Sequence, residues 1–199
     1  MKKISLLAIA ACLLIACSAG AQKPSGEKAP ETFKVNLDTS RGPVVIEVLR
    51  VDAPIGADRF YNLVKAKYFD GARFFRVVPG FMAQFGLAAD PAVTKAWDTP
   101  IQDDPVRASN VRGTVTFAAT GSPNSRSTQL FINFADNSRL DSQRFAPIGR
   151  VMSGMENVDQ IYSGYGENPD QEQIEAQGNA YLEKAFPNLD YIKTARIVQ

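Results

Sequence analysis

The 199-residue sequence contains no histidine. That absence removes the commonest general base, the commonest metal ligand and every Ser-His or Cys-His nucleophile pair. Cysteine is nearly absent as well, since Cys12 and Cys17 are the only two and both lie near the N-terminus. A domain downstream of them has no disulfide to draw on, so its core must supply the stability. Charge of one sign is missing too: 22 basic residues meet 21 acidic ones with no long single-sign block. Nucleic acid, whose phosphates demand a basic face, is therefore not an expected partner. The acidic pairs Asp103-Asp104 and Glu172/Glu175 lack calcium-loop spacing and read as a solvated loop and a helix face. No metal and no cofactor is expected.

The N-terminus has the layout of a secretory signal: Met1-Lys2-Lys3, an apolar run from Ile4 to Ala16, then small residues. The run is too short to span a bilayer as a helix. Two cleavage readings compete. Leu14-Ile15-Ala16-Cys17 resembles a bacterial lipobox with Cys17 as the lipidated residue, whereas Ala19-Gly20-Ala21 fits an ordinary site before Gln22. The lipobox is favoured, because a cysteine rarely ends such a run by chance. The expected organisation is a signal over 1–21, a flexible tether over 22–32 rich in polar residues and proline, and one domain over 33–199. The location expected is the periplasm, with any membrane contact made through the lipid anchor alone, and the expected state is a monomer.

Within the domain, Phe33 to Thr39 alternates with period two, Arg41-Gly42-Pro43 turns, and Val44 to Leu49 returns as a hairpin. Pro54 opens a short amphipathic helix through Val64. Further strands are expected at Phe74–Val78, Phe81–Phe85, Thr114–Ala118, Gln129–Phe134, Ala146–Val151 and Tyr191–Val198, and a long irregular stretch runs to Asp104. Ser153-Gly154-Met155-Glu156 reads as a capping box. Gln171 to Phe186 reads as a helix that Gly178 weakens. The expected fold is mainly β: a closed antiparallel barrel of about eight strands with two to three flanking helices.

The chemistry concentrates where an arginine interrupts an apolar strand. Alternation puts Phe74, Arg76 and Val78 on one face, Met82, Gln84 and Gly86 on a face of the next strand, and pairs Gln129 with Phe131. On spacing alone, an arginine snorkelling to solvent at a barrel rim, with the glutamines satisfying loop backbone, is the better account of the pattern. The run Phe75-Arg76-Val77-Val78-Pro79-Gly80-Phe81-Met82, followed by Gln84 and Gly86, resembles the signature of the cyclophilin family, and Gln129-Leu130-Phe131-Ile132 resembles its second signature. Asn62-Leu63, Gly113-Thr114-Val115, Pro123-Asn124-Ser125, Leu140-Asp141 and Gly149-Arg150-Val151 follow in family order.

The resemblance implies a peptidyl-prolyl cis-trans isomerase acting on proline-containing peptides and folding exported proteins. It implies that Arg76 is catalytic and that Gln84 orders its guanidinium. It also implies an apolar pocket for the proline ring from Phe81, Met82, Phe131 and Leu140, with Ala118, Ala119 and Gln129 lining the groove for neighbouring backbone. Such a mechanism needs no proton transfer, so the lack of histidine costs nothing. Some positions depart from the family pattern. Phe75 stands where histidine is frequent, Phe85 replaces a glycine, Phe145 or Ala146 stands near a pocket-wall histidine, and Arg139 stands where many members carry tryptophan. The segment 164–189 has no counterpart in compact members. An active isomerase and a catalytically idle module that binds proline segments or a partner protein both remain open at this point.

Overall fold

The structure, a computed structural model, describes residues 26–198. The leader, Cys17 and the first residues of the expected tether lie outside the described residues.

The expected hairpin forms from β1 (Thr32–Thr39) and β2 (Gly42–Leu49), paired antiparallel with Val35 opposite Ile46. Strict alternation sends Phe33, Val35, Leu37, Val44, Ile46 and Val48 into one core. The remaining strands are β3 (Arg76–Val78), β4 (Met82–Phe85), β5 (Thr114–Phe117), β6 (Leu130–Asn133), β7 (Pro147–Ser153) and β8 (Ile192–Val198). They form one eight-stranded sheet in the order β3-β4-β6-β5-β7-β2-β1-β8. The flanks of its two end strands close the curl. Gly71 and Phe74 donate to the carbonyls of Ile192 and Asp190, and Ile192 donates to that of Ala72.

Helix α1 (Pro54–Lys65) starts on proline, buries Ala57, Phe60, Leu63 and Val64, and closes the barrel core. Phe85 meets Phe69 and Phe74 edge-on there at centroid distances of 5.6 and 5.4 Å, and Phe60 packs on Phe69 at a tilt, 5.7 Å away. Each such ring contributes roughly 1.5–3 kcal/mol through burial. Phe74 thus faces the core, not the face that carries Arg76, because the chain before Arg76 has left strand geometry.

The structure holds more helix than the two or three elements expected. A helix α2 (Pro91–Trp97), with Asp90 as its N-cap, occupies part of the stretch expected to be irregular. A 3-10 helix spans Ser138–Gln143. The expected capping box is only the single turn α3 (Met155–Val158), whose N-cap is Gly154 in the left-handed region with no side-chain cap. The expected helix over 171–186 is split into α4 (Gln171–Gln177) and α5 (Asn179–Ala185). Gly178 makes the break with φ +58°, and a Cβ there would lie 2.7 Å from Pro91 Cδ, so the chain passes too close to α2 for any side chain.

The segment 164–189 has a small core of its own. Phe75, Leu87, Ile174, Leu182 and Leu189 are buried together, with Tyr165, Tyr181 and Phe186 packed on them. This explains one departure from the family pattern: Phe75, next to Arg76 in sequence, is the anchor that the added helices cover. Phe85, another departure, fills the main core between Phe69 and Phe74.

The described part of the expected tether is not free. Ala29 is buried and donates its amide to Asp58 Oδ1 at 2.9 Å, and the Glu27 carbonyl accepts from Asn62 Nδ2 at 2.7 Å. Residues 27–31 are therefore docked on α1, since polar backbone near a helix face finds partners there.

Candidate active site

The site lies on the outer face of the strands at one end of the sheet. Pairing sets Arg76 opposite Gln84, Gln84 opposite Phe131, and Phe131 opposite Thr116, one row across β3, β4, β6 and β5. Inward neighbours Val77, Ala83, Phe85, Leu130 and Ile132 belong to the core. The outer face is buried as well, so β4, β5 and β6 have no exposed side at all.

Arg76 is held by its neighbours in that row. Its Nη1 donates to Gln84 Oε1 at 3.1 Å and lies 3.9 Å from Met82 Sδ, and Gln84 Nε2 donates to Gln129 Oε1 at 2.8 Å. The guanidinium carbon sits 5.9 Å from the Phe81 ring centroid. On its other edge, Nε donates to Glu167 Oε1 at 2.6 Å, and Nη2 donates to the same oxygen. Arg76 is thus partly buried, with both edges of its guanidinium held by acceptors.

A pocket of about 460 Å³ opens beside the guanidinium. Met82, Phe131 and Leu140 form its buried apolar part, flanked by Phe81, Ala118 and Phe145. The Phe131 and Phe145 rings meet edge-on at 6.0 Å. Ala119, Thr120, Ser125, Ser127 and Gln129 continue the wall, and Asp98, Gln171 and Glu175 face it from α2's C-terminal end and α4. Burial pushes the Glu175 carboxyl above its ordinary value, and the charges of Asp98 and Glu172 add to the rise. The site therefore carries one cation and an acidic far wall.

Two further features fix the shape. Gly86 has φ +109°, and a Cβ there would lie 2.7 Å from Gln129 Cα, so a glycine lets β4 run close enough to bring Gln84 onto Gln129. Beneath the apolar part, a buried amide network ties the loops together. Asn137 Nδ2 donates to the Phe81 carbonyl at 2.9 Å and to Asn133 Oδ1 at 2.8 Å, and Asn133 Nδ2 donates to Thr114 Oγ1 at 2.9 Å. Fully bonded networks of this kind hold one geometry.

All nine residues expected at the site, Arg76, Gln84, Phe81, Met82, Ala118, Ala119, Gln129, Phe131 and Leu140, line this one pocket. Of the two candidates for the histidine position, Phe145 lines the wall, while Ala146 belongs to the main core. Arg139 is not in the pocket wall; its guanidinium stacks on the Phe81 ring at 4.8 Å and donates to Asn137 Oδ1 at 3.1 Å. Sequence reasoning missed Asp98, Gln171, Glu175 and Glu167, which approach from helices and a loop that alternation cannot place.

The pair expected to be a solvated acidic loop is also different. Asp104 is 3% exposed and accepts from the amides of Ile55 and Gly56 at 3.0 and 2.8 Å, serving as the cap that α1 lacks. The buried Arg126, in the loop at the groove edge, donates to Asp104 Oδ2 at 3.0 Å. Trp97 and Tyr68 are buried in the core, meeting edge-on at 6.2 Å.

A family model described as cyclophilin type peptidyl-prolyl cis-trans isomerase/CLD matches residues 33–178. A peptidyl-prolyl cis-trans isomerase of Acinetobacter baylyi is 38% identical over 132 residues, covering 64% of this chain and 70% of that protein. Peptidyl-prolyl cis-trans isomerase A of Dickeya dadantii is 36% identical over 147 residues, covering 70% and 76%. The fold is similar to the crystal structure of a Cryptosporidium parvum cyclophilin-type isomerase, with a TM-score of 0.65 at 20% identity over 84% of this chain and 98% of that one. The same parasite protein has been crystallised in the presence of the dipeptide Ala-Pro. With these matches beside a pocket built from the signature residues, the chain belongs to the cyclophilin-type peptidyl-prolyl cis-trans isomerase family.

Proposed function

We propose that this isomerase accelerates rotation about X–Pro bonds in exported proteins, with Arg76 as its catalytic residue. The observation that carries the reading is a fixed, charged guanidinium on the wall of a pocket otherwise floored by Met82, Phe131 and Leu140. An X–Pro amide resists rotation by about 18–20 kcal/mol because the nitrogen lone pair is delocalised into the carbonyl. Rotation localises that lone pair on nitrogen. A guanidinium N–H aimed at it binds the twisted state better than either planar isomer, which lowers the barrier without moving a proton. Arginine stays charged throughout the working range, so the task needs no histidine.

In this reading Gln84 orients the guanidinium, Phe81, Met82, Phe131 and Leu140 hold the proline ring, and Ala118, Ala119 and Gln129 carry adjoining backbone. Burial of one proline ring contributes roughly 1–2 kcal/mol, so peptides bind weakly and with little selection by sequence. A folding helper for many clients fits that affinity. The reading includes a monomer exported to the periplasm and held at a membrane through an acylated Cys17. Its support is the leader's basic start, apolar run and lipobox-like end. Stable retention would need the several chains of a lipoprotein anchor, since one acyl chain binds only marginally.

Two measurements test these points. The purified protein should speed cis-trans conversion of an Ala-Pro test peptide well above its uncatalysed rate, and no acceleration would contradict the activity. Intact mass should show a chain beginning at acylated Cys17. An unmodified chain beginning at Gln22 would contradict the lipid anchor and leave the isomerase reading untouched.

A further inference from the structure

We infer that Glu167, supplied by the added segment 164–189, is a positioning residue for Arg76. The inference rests on the reading of Arg76 as catalytic. Two of the five guanidinium N–H groups, one at Nε and one at Nη2, bond a single Glu167 oxygen, and one at Nη1 bonds Gln84. A second Nη2 N–H stays available. The two clamps grip opposite edges of the guanidinium plane, which fixes both its rotation and its tilt. The Glu167 clamp leaves the site open, because Glu167 is not among the residues that line the pocket, whereas Gln84 is part of its wall.

The placement of Glu167 is built from its own loop. The Val77 amide, next to Arg76 on β3, donates to the Gly166 carbonyl at 3.1 Å, so the loop is bonded to the same strand that carries the arginine. Gly166 and Asn168 donate to the carbonyls of Ser163 and Tyr165 at 3.0 Å each, which tightens the turn around Glu167. Tyr165 then seats the loop, packing edge-on against Tyr162 and Phe186 at 5.1 Å each. Phe75 anchors that small core from the other side of Arg76. The added segment therefore reaches the reaction centre through both sequence neighbours of Arg76. An arginine carries much rotamer freedom, and a donor that must already be in place at the twisted state gains from losing it beforehand.

The pair is exposed on the glutamate side, so its contribution is that of a well-oriented surface ion pair rather than a buried one. Glu167→Gln in the full chain should lower kcat for an Ala-Pro test peptide about fivefold, with KM within twofold of the parent. Glu167→Asp should recover part of the loss. In a nitrogen-15 spectrum, the Arg76 Nε–H signal should be sharp and protected in the parent and lose protection in Glu167→Gln. In an Arg76→Ala background the Glu167→Gln change should have no further effect on rate. An unchanged or raised kcat in Glu167→Gln would overturn the inference, as would a lowered kcat with an unchanged Arg76 signal. The failure of the catalytic reading looks different: Arg76→Ala would keep full turnover whatever the spectrum of Glu167→Gln shows.

Discussion

Gln84 Nε2 donates to Gln129 Oε1 at 2.8 Å, so the amide that accepts from Arg76 is itself fixed by the residue that leads into the neighbouring strand β6. The donor leaves Gln84 only one way to face, with its oxygen toward the guanidinium. Replacing Gln84 by alanine removes the Nη1 acceptor and frees that half of the group. Turnover on an Ala-Pro peptide should fall about tenfold, the equivalent of one hydrogen bond of about 1.4 kcal/mol in the twisted state. Gln129→Ala should cost less, about threefold, because Arg76 keeps its acceptor and loses only the acceptor's brace. Equal losses in the two variants would mean that the hold of Gln129 on substrate backbone matters as much as its brace on Gln84.

The buried pair Arg126 and Asp104 sets the stability of the groove edge. Asp104 also satisfies two amides at the start of α1, so its removal leaves a buried cation and two bare N–H groups. Asp104→Ala should destabilise the protein by about 3–5 kcal/mol, a fall of roughly 10 °C in melting temperature. Adding Arg126→Met should return part of that loss by removing a buried charge that would be left with only Asp103, at 3.6 Å, as its ionic partner. Calorimetric unfolding of the single and double variants measures both steps.

The hairpin, the first helix and the pocket residues were legible in the sequence because they follow simple rules. Residues Phe33 to Leu49 alternate cleanly where one face meets the core and the other meets water. The signature run around Arg76 placed four pocket residues, Arg76, Phe81, Met82 and Gln84, the second signature placed Gln129 and Phe131, and the wider family resemblance implied Ala118, Ala119 and Leu140. Alternation failed at Phe74, where irregular chain precedes β3; in β4 and β6 it sorted the faces correctly, although burial on both sides left no polar-apolar contrast to say which face was the core. Asp104 looked like any solvated acid, since nothing local reveals that its partners are Ile55, Gly56 and Arg126. Glu167 was invisible for the same reason, its partner lying 91 residues away.

Docking of residues 27–31 on α1 should depend on pH through Asp58. Burial pushes the Asp58 carboxyl up, but bonds from the Arg50 guanidinium and the Ala29 amide outweigh it and hold the group below its ordinary value. A depressed carboxyl stabilises the docked form above its unfolded value, about 4, and loses that contribution as pH falls through the lower folded value. Asp58→Asn should therefore lower the exchange protection of the Ala29 amide about tenfold at neutral pH, where the parent is fully protected. The parent should approach the variant only in strong acid. Equal protection at neutral pH would show that the segment is held by other contacts.

Arg139 predicts a split between inhibitor and substrate. It stacks on the outer side of Phe81 and lies outside the pocket, where family resemblance implies a tryptophan wall for the cyclic peptide cyclosporin. Seating an apolar macrocycle there would desolvate a charge, so cyclosporin should bind poorly while short proline peptides still turn over. Arg139→Trp should restore much of the inhibition. Tight inhibition of the unaltered protein would show that this wall plays no such part.

The account rests on Arg76 acting as a fixed donor to the prolyl nitrogen, and the rate of cis-trans conversion by Arg76→Ala tests it most directly. The variant should keep its fold, because the core beneath β3 is built from Val77 and Phe74. Its kcat/KM on an Ala-Pro peptide should fall by about two orders of magnitude, the scale of losing one preorganised donor at a developing charge. A folded Arg76→Ala protein with near-normal turnover would contradict the account.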